Sequence, residues 1–311
     1  MDRFDAMRVF SRVVERRSFT LAAEDLGLPR STVTDAVKRL EARLGVRLLQ
    51  RTTRHVSPTL DGEAYYQRCL RILSDIEDAE GAFAGAKPKG LLRVDVHGTL
   101  ARHFVLPNLP SFLATYPEIE LHLTEGDRFV DLIREGIDCV LRVGALQDSD
   151  MVARRLAMLD ELTLAAPAYI ERHGMPLHPQ ALDSHRMVGF RSSATGGLLP
   201  LEFTVDGTVR NVTLPATVAV NAAESYFAAA KLGLGLIQIP RYHAEHALKS
   251  GELISVLKDF PPTRTPVSML YPRNRQLSPR VRVFIDWLVA IFARQASAQE
   301  PMDEYSSQSI K

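Results

Sequence analysis

"SFTLAAEDLGLPRSTVTDAVKRLEARLG", residues 18–45, holds two helical patterns separated by one glycine and one proline. Leu21, Ala22 and Leu26 form the first apolar stripe, for which Ser18 or Thr20 supplies a cap and Gly27 the stop. Pro29, suited to a first helical turn, opens the second pattern, where Val33, Val37, Leu40 and Leu44 share a face before Gly45 ends it. Two helices joined by a tight glycine-containing turn are the helix-turn-helix arrangement, which sets its second helix into a DNA major groove.

The neighbouring residues extend that reading. Opposite Val33 and Leu40 lie Ser31, Asp35, Lys38 and Ala42, with Thr34 and Arg39 on the flanks, groups able to bond base edges and phosphates. Upstream, Phe4, Met7, Phe10, Val13 and Val14 recur at helical spacing and predict a helix ending at Arg16 or Arg17. Downstream, "VRLLQRTTRHVSPT" is strand-like and basic, a wing that sets Arg51, Thr52 and Arg54 beside a duplex. Residues 1–58 carry 12 Lys and Arg against 7 Asp and Glu, whereas the whole chain has a net charge of only +1. A basic head on a neutral-to-acidic body is the distribution expected of a polyanion-binding module.

The totals bound the rest. At 311 residues the chain has room for two or three domains, and 46% hydrophobic with 24% charged residues is ordinary for a globular protein. No run approaches the apolar length of a membrane span, and "MDRFDAMRVF" lacks a secretory core, so the expected location is cytoplasmic and no membrane partner is expected. Cys69 and Cys139 lie in separate patterns, which favours buried packing over a disulfide, a zinc site or redox sensing.

A long helix follows over residues 59–86, capped by Thr59, with Tyr66, Cys69, Leu73, Ile76, Glu80 and Phe83 as an imperfect heptad seam. The seam either pairs two chains or packs on its own domain. "GAKPKG" has the composition of a hinge. Beyond it, "LLRVDVHG", "IELHLTE", "DCVLRVG", "LTLAAP" and "LGLIQIP" read as strands, "FVDLIREG" and "ESYFAAAKLG" as helices. This alternation predicts an α/β fold with a mostly parallel sheet and ligands beyond the strands' carboxyl ends. "SPRVRVFIDWLVAIFARQ" is a terminal amphipathic helix, and residues 297–311 read as a disordered tail.

In order and in letters the chain resembles the LysR-type transcriptional regulators. The resemblance is most specific in "SFTLAAEDLGL", "VKRLEARLGVRLLQRTTR" and "TLDGEAYY". It continues through "DLIREGIDCVLRVGAL", "NAAESYFAAAKLGLGLIQIP" and "LSPRVRVFIDWL", runs similar to the subgroup that holds regulators of aromatic and quinone metabolism. It implies a winged helix-turn-helix at 1–58, a dimerising linker helix and hinge at 59–90, and a two-lobed effector domain at 91–296 similar to periplasmic binding proteins. Lobe one would span 91–160 and 266–296, and lobe two 161–265. It also implies a dimer of dimers on double-stranded promoter DNA, RNA polymerase as a partner if the protein activates, and a small-molecule effector between the lobes. No cofactor or metal is implied.

Carried onto this sequence, Arg30, Ser31, Thr32, Thr34, Asp35 and Lys38 match the recognition helix, and Arg51, Thr52 and Arg54 the wing. The effector cleft would draw on Thr99, Leu100, Arg128, Val143 and Gly144 from lobe one, and on Phe190, Leu201, Phe203 and Asn221 from lobe two. Arg142 and Arg191 are the cations nearest the strand ends, which suggests an anionic or phenolic effector held against Phe190 and Phe203. Two positions depart from the family pattern. Pro29 stands where relatives often have a capping serine, and Asp35 where many carry a cation. Asp35 either accepts from a cytosine amino group or pairs with Arg39 four residues on, the pair being favoured by spacing.

Two other readings compete: an effector-independent DNA-binding repressor, and an enzyme on the α/β part. The enzyme finds little support. "GLGLIQ" is only a fragment of a dinucleotide motif, and neither a phosphate loop nor a nucleophile elbow occurs. His243, Glu245 and His246 lack zinc-protease spacing and read as a solvated helix, and Asp127, Asp131 and Glu135 as a wet helical face.

Overall fold

A computed structural model describes residues 1–51, 56–84, 87–126, 132–144, 151–193, 195–273 and 277–299. The chain divides into two compact units, residues 1–91 with 277–279, and the remainder.

The first unit begins with α1 (Arg3–Arg16), α2 (Phe19–Leu26) and α3 (Arg30–Leu44). A capping box between Asp2 and Asp5 starts α1, and Arg17 ends it in the left-handed region at φ 49°. Ser18, rather than Thr20, caps α2, accepting from the Leu21 amide at 3.3 Å, and Gly27 closes it at φ 63°. The antiparallel strands β1 (Leu49–Arg51) and β2 (Val56–Pro58) form the wing, with Leu49 opposite Pro58. Then comes α4 (Leu60–Ala84), whose first turn is capped by the Thr59 hydroxyl accepting from the Gly62 amide at 2.9 Å.

Phe10, Val13, Ala22, Val33, Val37, Leu40, Leu48 and Cys69 form one core. Phe4, Leu21 and Leu44, expected on buried faces, are 40–46% exposed, and the buried faces of α2 and α3 are instead made by Phe19, Ala22, Ala23, Val33, Ala36, Val37 and Leu40. Cys69 is fully buried and Tyr65 lies 5.6 Å from the Phe10 ring, so the first half of the expected seam is occupied by α1 of the same chain. The side chains of Glu80 and Phe83 lie outside the described residues. Burial pushes the Cys69 thiol up to about 11 and the Cys139 thiol well above its ordinary value, which makes both poor nucleophiles.

The second unit runs β3 (Gly90–Val96), α5 (Gly98–Leu100), α6 (Leu109–Thr115), β4 (Ile119–Glu125), α7 (Leu132–Glu135), β5 (Cys139–Val143) and β6 (Met151–Leu159). It continues through β7 (Glu161–Ala165), α8 (Pro167–His173), β8 (Gly189–Phe190), β9 (Leu201–Val205), β10 (Thr208–Val212), β11 (Ala219–Val220), α9 (Ala223–Lys231) and β12 (Ile237–Pro240). It ends with α10 (Arg241–Ser250), β13 (Ile254–Ser255), β14 (Thr265–Pro272) and α11 (Pro279–Gln299). A five-stranded sheet in the order β4-β3-β5-β14-β6 builds one lobe, and β12-β7-β13 with the β9-β10 hairpin and the β8-β11 pair builds the other.

The sheets are mixed, which corrects the expectation of mostly parallel pairing. β3 and β5 run parallel, as do β8 and β11, but β14 is antiparallel to both β5 and β6, and β7 to both β12 and β13. The cause is the chain path: β6 leads out of the first lobe at Asp160, and β14 returns beside it in the opposite sense, pairing Thr265 with Leu159. Arg264 and Asp160, one on each crossing segment, are ion-paired at 2.7 Å. The terminal helix reaches Gln299, three residues into the segment expected to be disordered, and residues 300–311 lie outside the description.

Candidate functional site

In the first unit, α3 buries Val33, Ala36, Val37 and Leu40 and leaves Arg30, Ser31, Asp35, Lys38 and Arg39 exposed, with Thr32 and Thr34 half-buried. Neither Arg30 nor Lys38 is ion-paired among the described residues, in contrast to Arg12 and Arg16, which meet Asp25 at 3.7 and 2.6 Å. The Thr34 hydroxyl donates to the Arg30 carbonyl at 2.9 Å. Arg39 Nε donates to the Asp35 carbonyl oxygen at 3.4 Å, not to the carboxylate, so the favoured Asp35–Arg39 ion pair does not form. Pro29 occupies the cap position of α3 at φ −60° and ψ 140°, with no side-chain cap. The first amides of α3 therefore stay available at an exposed helix start, where an anion is favoured.

The wing is fastened to this helix by a residue that sequence reasoning passed over. Glu41 Oε1 accepts from the amides of Leu48 at 2.8 Å and Leu49 at 3.0 Å. The signal was present as a carboxylate one turn before the end of α3, but an acid on a basic helix reads first as a solvated charge. Thr52 and Arg54 lie outside the described residues, and of Arg51 only the backbone is described, at the end of β1.

In the second unit, an open cleft of about 380 Å³ lies between the lobes. Lobe one lines it with His97, Gly98, Thr99, Arg102, Glu125 and Gly126, lobe two with Ser193, Asn221, Ala222, Ala223 and Glu224. Of the expected cleft residues, Thr99 and Asn221 are there. The Thr99 hydroxyl is already engaged, 2.7 Å from the Tyr242 hydroxyl on α10 and 2.9 Å from His97 Nδ1. Arg102 bridges the lobes, with Nη2 2.9 Å from Glu125 Oε2 and Nη1 3.1 Å from Glu224 Oε1.

Several expected cleft residues are placed elsewhere. Leu100 is fully buried in lobe one. Leu201 and Phe203 alternate inward along β9 and sit in the core of lobe two at 2% and 0% exposure, and Phe190 packs on that core 5.2 Å from the Tyr226 ring. The reason is period-2 alternation: residues 201, 203 and 205 share one face of β9, and that face is the buried one. Arg142 pairs with buried Asp95, which also accepts from the Thr124 hydroxyl at 2.7 Å. Arg191 is exposed and donates to the Gly196 carbonyl at 2.7 Å, closing its own loop. Val143 is half-buried at the end of β5, and Gly144 follows at φ 101°, its amide donating to Pro266 at 2.9 Å. Arg128, Asp127 and Asp131 lie outside the described residues.

Of His243, Glu245 and His246, all read as lying on a solvated helix, Glu245 and His246 are exposed but His243 is buried. Burial holds the His243 imidazole below the ordinary value, partly offset by Glu224, whose carboxylate is 3.6 Å from Nε2. No group of three or more potential metal-ligating side chains is assembled among the described residues. No helix of the described residues is long and apolar enough to cross a membrane.

Comparisons with known proteins bear on both sites. Residues 4–63 match the family model of the bacterial regulatory helix-turn-helix protein, lysR family, and residues 85–293 match the LysR substrate binding domain. The chain is 39% identical over 295 residues to the uncharacterized HTH-type transcriptional regulator YhjC of Escherichia coli, covering 94% of this chain and 98% of the relative. An HTH-type transcriptional repressor of Pseudomonas aeruginosa is 37% identical over 302 residues, covering 96% and 95%. Among solved structures, CrgA, a LysR-type regulator from Neisseria meningitidis, is 31% identical with a TM-score of 0.59, covering 93% of this chain and 98% of that one. The Vibrio cholerae virulence activator AphB is 25% identical with a TM-score of 0.56, covering 93% and 99%. With both halves matched and relatives aligned over nearly their whole length, the chain belongs to the LysR family of DNA-binding transcriptional regulators and is not an enzyme.

Proposed function

We propose that this regulator binds imperfect promoter dyads as a dimer of dimers in the cytoplasm and alters transcription when a small molecule occupies the inter-lobe cleft. Where it activates, RNA polymerase is a further partner. The observation that carries the reading is the cleft of about 380 Å³, within the size range of small-molecule sites, with walls drawn from both lobes. A ligand touching both walls binds one lobe arrangement better than another, and that difference in affinity is what an effector uses.

On the DNA side, Arg30 and Lys38 serve as phosphate contacts, while Ser31, Thr32, Thr34 and Asp35 face base edges. The test is selection of genomic fragments by the full chain at near-physiological salt, followed by sequencing. Enrichment of a few promoter fragments with an imperfect dyad is the expected result. Uniform retention that disappears with added salt overturns the site-specific reading, because it reports charge attraction alone.

A further inference from the structure

The cleft carries an uneven charge. Among the described residues that line it, the carboxylates of Glu125 and Glu224 face a single guanidinium, that of Arg102. One planar guanidinium reaches both carboxylates through its two terminal nitrogens, Nη2 at 2.9 Å from Glu125 and Nη1 at 3.1 Å from Glu224, so the pair lies within the span of a single guanidinium. His243, 3.6 Å from Glu224, is held toward its neutral form by burial, so among the described residues Arg102 is the one full positive charge on that carboxylate. Asn221 adds an uncharged hydrogen-bonding group to the lining, and the Thr99 hydroxyl is engaged with Tyr242 and His97.

Arg102 is a displaceable occupant. Its side chain is 48% exposed, and Glu125 and Glu224 are 39% and 50% exposed, a setting in which ion pairs compete with water and hold weakly. Gly98 lies beside the pair, where a Cβ would come within 3.1 Å of Glu125 Oε2 and 3.4 Å of Arg102 Nη1, so glycine keeps that corner of the cleft open. An anion entering here would set three negative groups around one guanidinium and desolvate them as the lobes close. A cation makes two positive groups on two negative ones.

We infer that the ligand of this cleft carries a positively charged nitrogen, an ammonium or guanidinium, seated on Glu125 and Glu224 in competition with Arg102. The inference rests on the reading of the cleft as a ligand site. Its test is calorimetry and thermal shift on the full-length chain with putrescine, agmatine and choline, against succinate, butyrate and benzoate as anionic counterparts. At least one cationic probe is expected to bind and the carboxylates are not. Glu125→Gln and Glu224→Gln should each weaken that binding about tenfold or more, the scale for loss of a charged partner in a contact. Arg102→Gln should tighten it several-fold, an effect that an arginine with a purely structural role would not produce, and far-UV spectra report whether each variant is folded. Binding by carboxylates alone overturns the charge assignment and leaves the ligand-site reading standing. Binding by neither class, in the wild type or in Arg102→Gln, overturns both.

Discussion

Gly62 and Leu48 meet backbone to backbone: a Cβ on Gly62 would lie 1.9 Å from the Leu48 carbonyl oxygen. The same carbonyl accepts from the Thr59 amide at 2.9 Å, so the start of α4 and the entry to the wing are one joint. Gly62→Ala has no flexible side chain to push aside and must separate the two segments. We expect a loss of about 2–4 kcal/mol in the stability of the first unit, the upper range for overpacking. Denaturant unfolding followed by a probe in the first unit checks it, and wild-type stability in the variant would remove the joint from the account.

Glu41 offers a second test of how the wing is held. Its carboxylate serves two backbone amides, and hydrogen bonds to a charged acceptor contribute about 1.5–3 kcal/mol. Glu41→Ala should lower stability by that order and weaken operator binding although Glu41 need not touch DNA. Glu41→Gln keeps an acceptor and should recover most of both. Parallel unfolding and operator-binding measurements separate the two variants.

Lys38 is exposed on the outer face of α3 and has no ion-pair partner among the described residues. As a phosphate contact, its replacement by alanine should weaken operator and non-operator DNA alike and lower the slope of log affinity against log salt by about 0.9. A salt titration of Lys38→Ala with an unchanged slope would reassign the residue.

Arg142 is expected to matter for stability rather than for ligand contact. Its partner Asp95 is 8% exposed in the side chain, and removal of the guanidinium leaves that buried carboxylate with the Thr124 hydroxyl. Breaking a buried pair from one side costs about 3–5 kcal/mol. Arg142→Ala should therefore melt earlier by several degrees with or without effector present, which calorimetry of the second unit's transition would show.

Glu161 gives the second unit a pH dependence. Burial, with a smaller contribution from the neighbouring Glu202, pushes its carboxyl up to about 7, against the partial relief of a hydrogen bond with Thr265. The folded state thus holds a proton that the unfolded chain releases near pH 4.5, so the stability it contributes is present below that value and is lost as pH rises toward 7. The loss is on the order of 2–3 kcal/mol. Glu161→Gln should flatten this slope, and unfolding curves across pH 4.5–7.5 that remain parallel in wild type and variant would contradict the assignment.

The first unit was legible in the sequence because its information is local. Caps at Ser18 and Thr59, stops at Gly27 and Gly45 and the Val33–Leu40 stripe act within one or two turns, and the structure realises each of them. The strands that sequence reasoning missed lack that local signal. β6 lies at a sheet edge and carries Arg154 and Arg155 outward, and β14 has a proline at each end of its apolar run. Its direction, antiparallel to both neighbours, follows only from where the chain crosses between lobes.

The cleft was legible in part. Thr99 and Asn221 could be carried over by resemblance, but which side of β9 faced inward, and that Arg142 and Arg191 were already occupied, depended on partners 47 and 5 residues away. The bridge from Arg102 to Glu224 spans 122 residues, and no periodicity reports such a distance. Sequence by itself determined the helical head, its caps and the face it presents, since backbone sterics and amphipathic spacing operate over a few residues. Only tertiary structure decided the occupants of the cleft, because opposite charges find one another by position in space rather than by order along the chain.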